Sequence, residues 1–536
     1  MNRTHSSFIA VLLTAGLLLV SACDTGFEEM NRNPTQANTI SPDFLFTTAQ
    51  LSTAGTRYEV WRANLIYASG MIQHLAHTWW AGDKYTRVED WLTAFWNINY
   101  NGVGDNNRAT VLILRDLIEN NKDDPQQVNK VAAARIMLAY TFHRLTDVYG
   151  DIPYHEAGMG FLGDNVTPAY TPQDEIYADL LNELQESVAS FDPAFPTYGS
   201  ADLMYQGNID QWRKFGNSLM LRVAMRLSKV DPAMAETWAQ RAISGGLMES
   251  NADVAAVPHQ TGPSIGPNGL NSNPVIDVFE VDQPKLTGTF VNWMKDRNDP
   301  RLPRLGAVYA GPASPRSTPM VTNDPEAMVG YPSGLNLTLA QDHPSWEAVQ
   351  ALEADYPELE DVGELNRYVQ PHRNINSTRA MPTLLLTYAE VEFMQAEAAV
   401  RGWHSGDPQT HYENGVRAAM QQLTIYSEDA EIPDAEIDAY LDENPYDASR
   451  AIDQINSQYW AATFLNGIEA WSNWRRSGYP ELTPANAPGN VTGGTIPRRL
   501  TYPNNEALLN EDNYQEAVAR QGPDEMTTRV WWDIPQ

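Results

Sequence analysis

Apolar side chains recur every three to four residues through most of this chain, a spacing that admits little besides packed helices. In 131–149, Leu138, Phe142, Leu145 and Tyr149 fall at i, i+4, i+7 and i+11, one stripe of a 3.6-residue repeat. Similar runs cover 107–121, 173–190, 209–229 and 232–244. Thr171-Pro172 supplies cap and first turn to 173–190, and Gly245-Gly246 closes 232–244. Helical spacing returns at 382–402, 408–425 and 447–472, and no window alternates with period 2 over several strands. The spacing predicts a mainly α fold of helix pairs stacked around a loop-rich face. That face is assigned to about 251–380, where Gly, Pro, Asn and Ser interrupt the pattern and only 278–296 and 346–355 read as helical. Loops of this length inside a domain usually carry function.

Charge narrows the partners. With 36 basic against 68 acidic side chains the net charge is −32, which leaves no basic stripe for nucleic acid or for anionic lipid. The single Cys excludes a disulfide scaffold and a Cys-cluster metal site.

That Cys has a telling position. Arg3 and His5 precede an apolar run from Phe8 to Val20, too short to span a bilayer but suited to a secretory signal. Val20-Ser21-Ala22-Cys23 follows and resembles the lipobox of bacterial lipoproteins, in which the Cys is diacylated and becomes the new N-terminus. Residues 1–22 are therefore expected to be a lipoprotein signal peptide and 23–536 a single tethered domain. Two or more acyl chains anchor a protein stably.

Several short motifs fail on context. Gly158–Gly163 matches a dinucleotide fingerprint but does not lie between a strand and a helix, and Gly262-Pro263-Ser264-Ile265-Gly266 matches a nucleophile elbow inside a Pro/Gly-rich loop. His74 and His77 are spaced i, i+3 on an expected helix without a third ligand nearby, so no metal site is assigned. Carboxylates are too numerous for any pair to stand out as a glycosidase acid and base. The positive signal is aromatic: Trp79, Trp80, Tyr85, Trp91, Trp96 and Tyr100 lie within 22 residues that also hold Gly82, Asn97 and Asn99, with Asn101 and Gly102 directly after them. Flat rings beside amides and carboxylates suit sugars, whose C–H faces pack on the ring while their hydroxyls are hydrogen-bonded.

The chain as a whole resembles the SusD/RagB family of nutrient-binding outer-membrane lipoproteins, in particular its second SusD-like subfamily. The resemblance is carried by Phe27 to Pro34, by Asp147-Val-Tyr-Gly-Asp-Ile-Pro-Tyr154, by Asn298-Asp-Pro-Arg-Leu-Pro303, by Tyr388 to Phe393 with Ala396 to Ala398, by Arg401-Gly-Trp403, and by a C-terminal block over 469–536. In that block stand Glu469-Ala-Trp471, Arg475-Arg-Ser-Gly-Tyr-Pro480, Ile496-Pro-Arg-Arg499, Tyr502-Pro503 and Val530-Trp-Trp-Asp533. The resemblance implies tetratricopeptide-like helix pairs, a scaffold over about 42–250 and 382–480, and no catalysis. It implies capture of oligosaccharides, or in some members peptides, for a SusC-like TonB-dependent transporter at the outer membrane. The motifs themselves read as structural. Ligand contacts vary within the family, and the residues expected to make them here are Trp79, Trp80, Asp83, Tyr85, Tyr309, Tyr331 and Trp346. No cofactor is expected, and a structural Ca²⁺ is left open without being predicted. A surface glycoside hydrolase is the reading from another class.

Overall fold

The computed structural model describes residues 41–79, 82–102, 109–160, 165–261, 272–276, 279, 284–314, 316–376 and 378–535. Its scaffold is a chain of helices: α1 (Pro42–Ala54), α2 (Thr110–Asn121), α3 (Val128–Tyr149), α4 (Gln173–Ser190), α5 (Ile209–Arg226), α6 (Pro232–Gly245), α7 (Tyr388–Val400), α8 (Pro408–Gln421), α9 (Ala451–Ala462) and α10 (Gly467–Ser477). Four of them, α5 to α8, start at short polar side chains that take up orphan backbone N–H groups. Asn208 accepts from Asp210 and Gln211, Asp231 from Met234, and Asp407 from Thr410. Thr387 and Glu390 form a reciprocal capping box at α7.

Successive helices pack in order, α1 on α2 and so on through α6, after which α5 receives α7, and α7 packs on both α8 and α9. This is a mainly α architecture of stacked helix pairs. Between α1 and α2, Val60–Ala68 is wound as a π-helix that packs against α10. Asn64 on this segment donates to Leu465 O (2.9 Å) and accepts from Ile468 N (3.1 Å). Those two bonds hold a break at 463–466, where the sequence spacing suggested one helix over 447–472.

Strands among the described residues are two to four residues long, too short to leave a period-2 signature in the sequence. β1 (Leu75–Ala76) pairs with β5 (Lys285–Leu286), β2 (Ile152–Pro153) with β3 (Tyr170–Thr171), and β4 (Ala255–Val257) with β9 (Thr383–Leu386). β7 (Met320–Thr322), β6 (Gly306–Tyr309) and β8 (Gln370–Pro371) form a three-stranded sheet. β9 corrects the expected helix over 382–402: its first residues satisfy β4, and the helix waits for the Thr387 cap. Within the expected helix over 278–296, residues 278 and 280–283 lie outside the described residues, β5 takes 285–286, and Gly288–Lys295 is helical; the one over 346–355 becomes Pro344–Ala351 with a 3₁₀ turn after it.

The residues that carried the resemblance meet inside this scaffold. Arg226 on α5 reaches Asp147 at the end of α3 and Glu469 on α10, while Arg222 pairs with Glu390. Tyr459 donates to both Glu390 (2.9 Å) and Glu469 (2.8 Å). Arg476 is bidentate to Glu397, and the Arg475 guanidinium lies 3.7 Å over the Trp471 ring and 4.7 Å from that of Trp532. Arg301 is bidentate to Asp299, and Arg498 pairs with Asp533. All are buried, so these motifs are structural. Arg475 donates to Arg498 O (2.7 Å), and the Arg498 side chain in turn donates to Arg475 O (3.2 Å).

Candidate functional site

The first aromatic loop is pinned at its base. At the base, Gln73 donates to Thr483 O (2.6 Å), its carbonyl accepts from Thr287 Oγ1, and Thr287 N donates to His74 O (3.2 Å). Gly82 lies against the π-helix so closely that a Cβ there would sit 1.8 Å from Ile66 O. Lys84 donates to both Asp83 oxygens at 2.9 Å and to His77 O at 2.5 Å, closing the loop on itself. Asp83 also accepts from Gly334 N (3.1 Å), so the loop is stitched to the 331–346 segment. Burial pushes the Asp83 carboxyl upward, against Lys84. Tyr85, held at φ 54°, accepts from Ala485 N (3.1 Å), and burial pushes its hydroxyl up to about 12.

What remains outside is Trp79, 77% exposed. Three residues before it, Ala76 packs with Tyr331, Ala340, Val349 and Tyr368, and half-buried Trp346 leans on the same cluster. Tyr368 lies edge-on to Tyr331 at 5.0 Å and donates to or accepts from Ser345 Oγ (2.9 Å). The loop-rich region and the first aromatic loop therefore build one corner of the molecule, with a bare indole at its edge.

The expected contact residues divide accordingly. Trp79 and Trp346 present ring surface. Tyr85, Tyr309, Tyr331 and Asp83 have no exposed surface and stand in the walls behind that corner. Tyr309 sits in β6 beneath the Arg373 guanidinium, 4.7 Å from its ring, and accepts from Arg373 N. Trp80 lies outside the described residues, as do Cys23, the Gly262–Gly266 match and Phe161–Gly163 of the Gly158–Gly163 match. Tyr368 and Lys84 were missed; Tyr368 stands in a loop without periodicity, and Lys84 gains its role only once the loop folds back on itself.

His74 and His77 flank β1 and are not on a helix. Both are buried, and burial pushes each imidazole down to about 3. His74 packs among Phe290, Trp460 and Phe464. Among the described residues no group of three or more His, Cys, Asp or Glu is placed to hold a metal ion, and no helix is long and apolar enough to cross a membrane.

The helical scaffold has counterparts among known proteins. The SusD-like family described as "Starch-binding associating with outer membrane" matches residues 34–503, and the chain belongs to this family. A chitin-binding protein of known structure is 34% identical over 92% of this chain and 100% of its own, with a TM-score of 0.78. A SusD-like protein described as Bacteroidetes AC2a is 30% identical over the same shares, with a TM-score of 0.81. The SusD-like protein P2 of Formosa agariphila is 33% identical over 95 residues, a match that spans 18% of either chain. A SusD homolog from Bacteroides uniformis, 24% identical over 92% of this chain and 99% of its own with a TM-score of 0.71, shares the fold.

Proposed function

We propose that this protein is a non-catalytic capture lipoprotein, tethered through Cys23 to the outer membrane at the cell surface, that binds oligosaccharides and passes them to a SusC-like TonB-dependent transporter. The observation that carries the reading is Trp79: a solvent-exposed indole on a loop whose base is fixed by Gly82, Asp83 and Lys84. Leaving so large an apolar face in water forgoes burial worth roughly 2–3 kcal/mol, a cost that a packing partner recovers. A sugar's C–H face is such a partner, with Trp346 on the adjoining segment as the second ring. Membership in a family described as starch-binding, and a 34%-identical relative described as chitin-binding, favour glycans and make N-acetylglucosamine oligomers the first to try. Polar sugars gain little net free energy from hydrogen bonds, so affinity alone is modest and proximity to the transporter raises effective concentration.

The test is to incubate purified protein with chitin, starch and their oligomers, and separately to tag it and recover its partners from solubilised outer membranes. Retention on a polysaccharide without release of shorter sugars, together with a co-purifying TonB-dependent transporter, supports the reading. Sustained product release overturns it in favour of a hydrolase, and binding to a peptide pool but to no glycan overturns the ligand class.

A further inference from the structure

Away from the aromatic corner, the α7–α8 hairpin brings two imidazoles together. His404, in the turn after α7, and His411, in the first turn of α8, place their Nε2 atoms 3.1 Å apart, with ring centroids 5.0 Å apart and planes inclined at 52°. His411 Nδ1 is 2.7 Å from Glu392 Oε2 on α7. A carboxylate only accepts, so Nδ1 carries the proton and the His411 Nε2 lone pair is turned toward His404. Both side chains are half-buried and reachable from solvent.

We propose that this pair is a binding site for a divalent late-transition metal ion, of the Zn²⁺, Ni²⁺ or Cu²⁺ type. An ion about 2.1 Å from each nitrogen would subtend about 95° across the 3.1 Å gap, between octahedral and tetrahedral angles. Glu392 is the carboxylate behind a liganding histidine that fixes its tautomer and raises its basicity. Asp407, the N-cap of α8, adds a second negative charge beside His411. Gly406 packs directly against the same two nitrogens. A Cβ at that position would lie 2.4 Å from His411 Nε2 and 2.5 Å from His404 Nε2, so any other residue would drive a methyl group against both donor atoms. With two side-chain nitrogens, water completes the coordination shell. Loading moves the His404 proton from Nε2 to Nδ1 and replaces one N–H···N bond by two metal–nitrogen bonds, tying the 401–407 turn to α8.

The experiment uses tag-free protein titrated with Zn²⁺ against a chromophoric chelator, and with Cu²⁺ followed by electron paramagnetic resonance. Expected are one saturable equivalent, hyperfine structure from two nitrogens, and affinity at least tenfold weaker in His404→Gln and in Gly406→Ala. Glu392→Gln, which keeps both ligands, should weaken binding by about tenfold. Circular dichroism on each variant separates lost binding from lost folding, and Gly406→Ala alters no ligand. Absence of a saturable equivalent, or full affinity in the His404→Gln/His411→Gln double variant, would overturn the proposal.

Discussion

Arg226 Nη2 donates to both carboxylate oxygens of Glu469, at 2.8 and 2.7 Å, while its Nε donates to Asp147 at 3.1 Å. One guanidinium thus joins α5, α3 and α10 where all three are buried. Burial works against the Glu469 charge, yet Arg226 and Arg222 hold its carboxyl down to about 2. Glu469→Gln removes the countercharge from two buried arginines and is expected to cost about 3–5 kcal/mol. The shift in urea unfolding midpoint measures it; a change below about 1 kcal/mol would show that the pair contributes little beyond packing.

Lys285 offers the opposite case. It is buried on β5, its Nζ has no hydrogen-bond partner among the described residues, and burial pushes its ammonium down to about 7. The unfolded chain holds that proton up to about pH 10.4 whereas the folded chain releases it near 7, so stability from this group rises with pH across that window. Lys285→Met should therefore stabilise the protein by up to about 4 kcal/mol at pH 7, and the gain should shrink toward zero by about pH 10. A gain independent of pH would mean that packing, and not charge, is responsible.

The base of the aromatic loop should be sensitive to substitution. Asp83→Ala leaves Lys84 buried without a countercharge and unhooks Gly334, at an expected cost of about 3–5 kcal/mol. Limited proteolysis should then cut between 73 and 86 where the parent protein resists. Equal resistance would show that the loop is held by other contacts.

Anchoring is separable from folding. Cys23→Ser should move the protein from the membrane fraction to the soluble one without altering its thermal unfolding, read by cell fractionation and metabolic labelling with a fatty-acid probe. Continued membrane association of an unlabelled chain would contradict the lipid tether.

Amphipathic helices were legible in the sequence because each buries one stripe, as 173–190 shows by matching α4 end to end, although the cap expected from Thr171-Pro172 is supplied by Asp151, which accepts from Gln173 N. β9 and the break at 463–466 were not, since each depends on a partner far along the chain: β4 for the strand and Asn64 for the break. The same distinction divides the site. Trp79 stood out because adjacent tryptophans on a polar loop are hard to bury together. Tyr85, Tyr309 and Tyr331 looked equivalent to it by residue type, and only the backbone groups and rings that enclose them make them supports. The His404–His411 pair, seven residues apart across a turn, had no recognisable spacing at all.

Calorimetric titration of the parent protein and of Trp79→Ala with N-acetylglucosamine oligomers, and with starch oligomers in parallel, bears most directly on glycan capture. A saturable heat without product, weakened at least tenfold in the variant while its melting temperature stays within about 1–2 °C, is the predicted result. Equal affinity in the two proteins would contradict the account, as would sugar shortened during the titration.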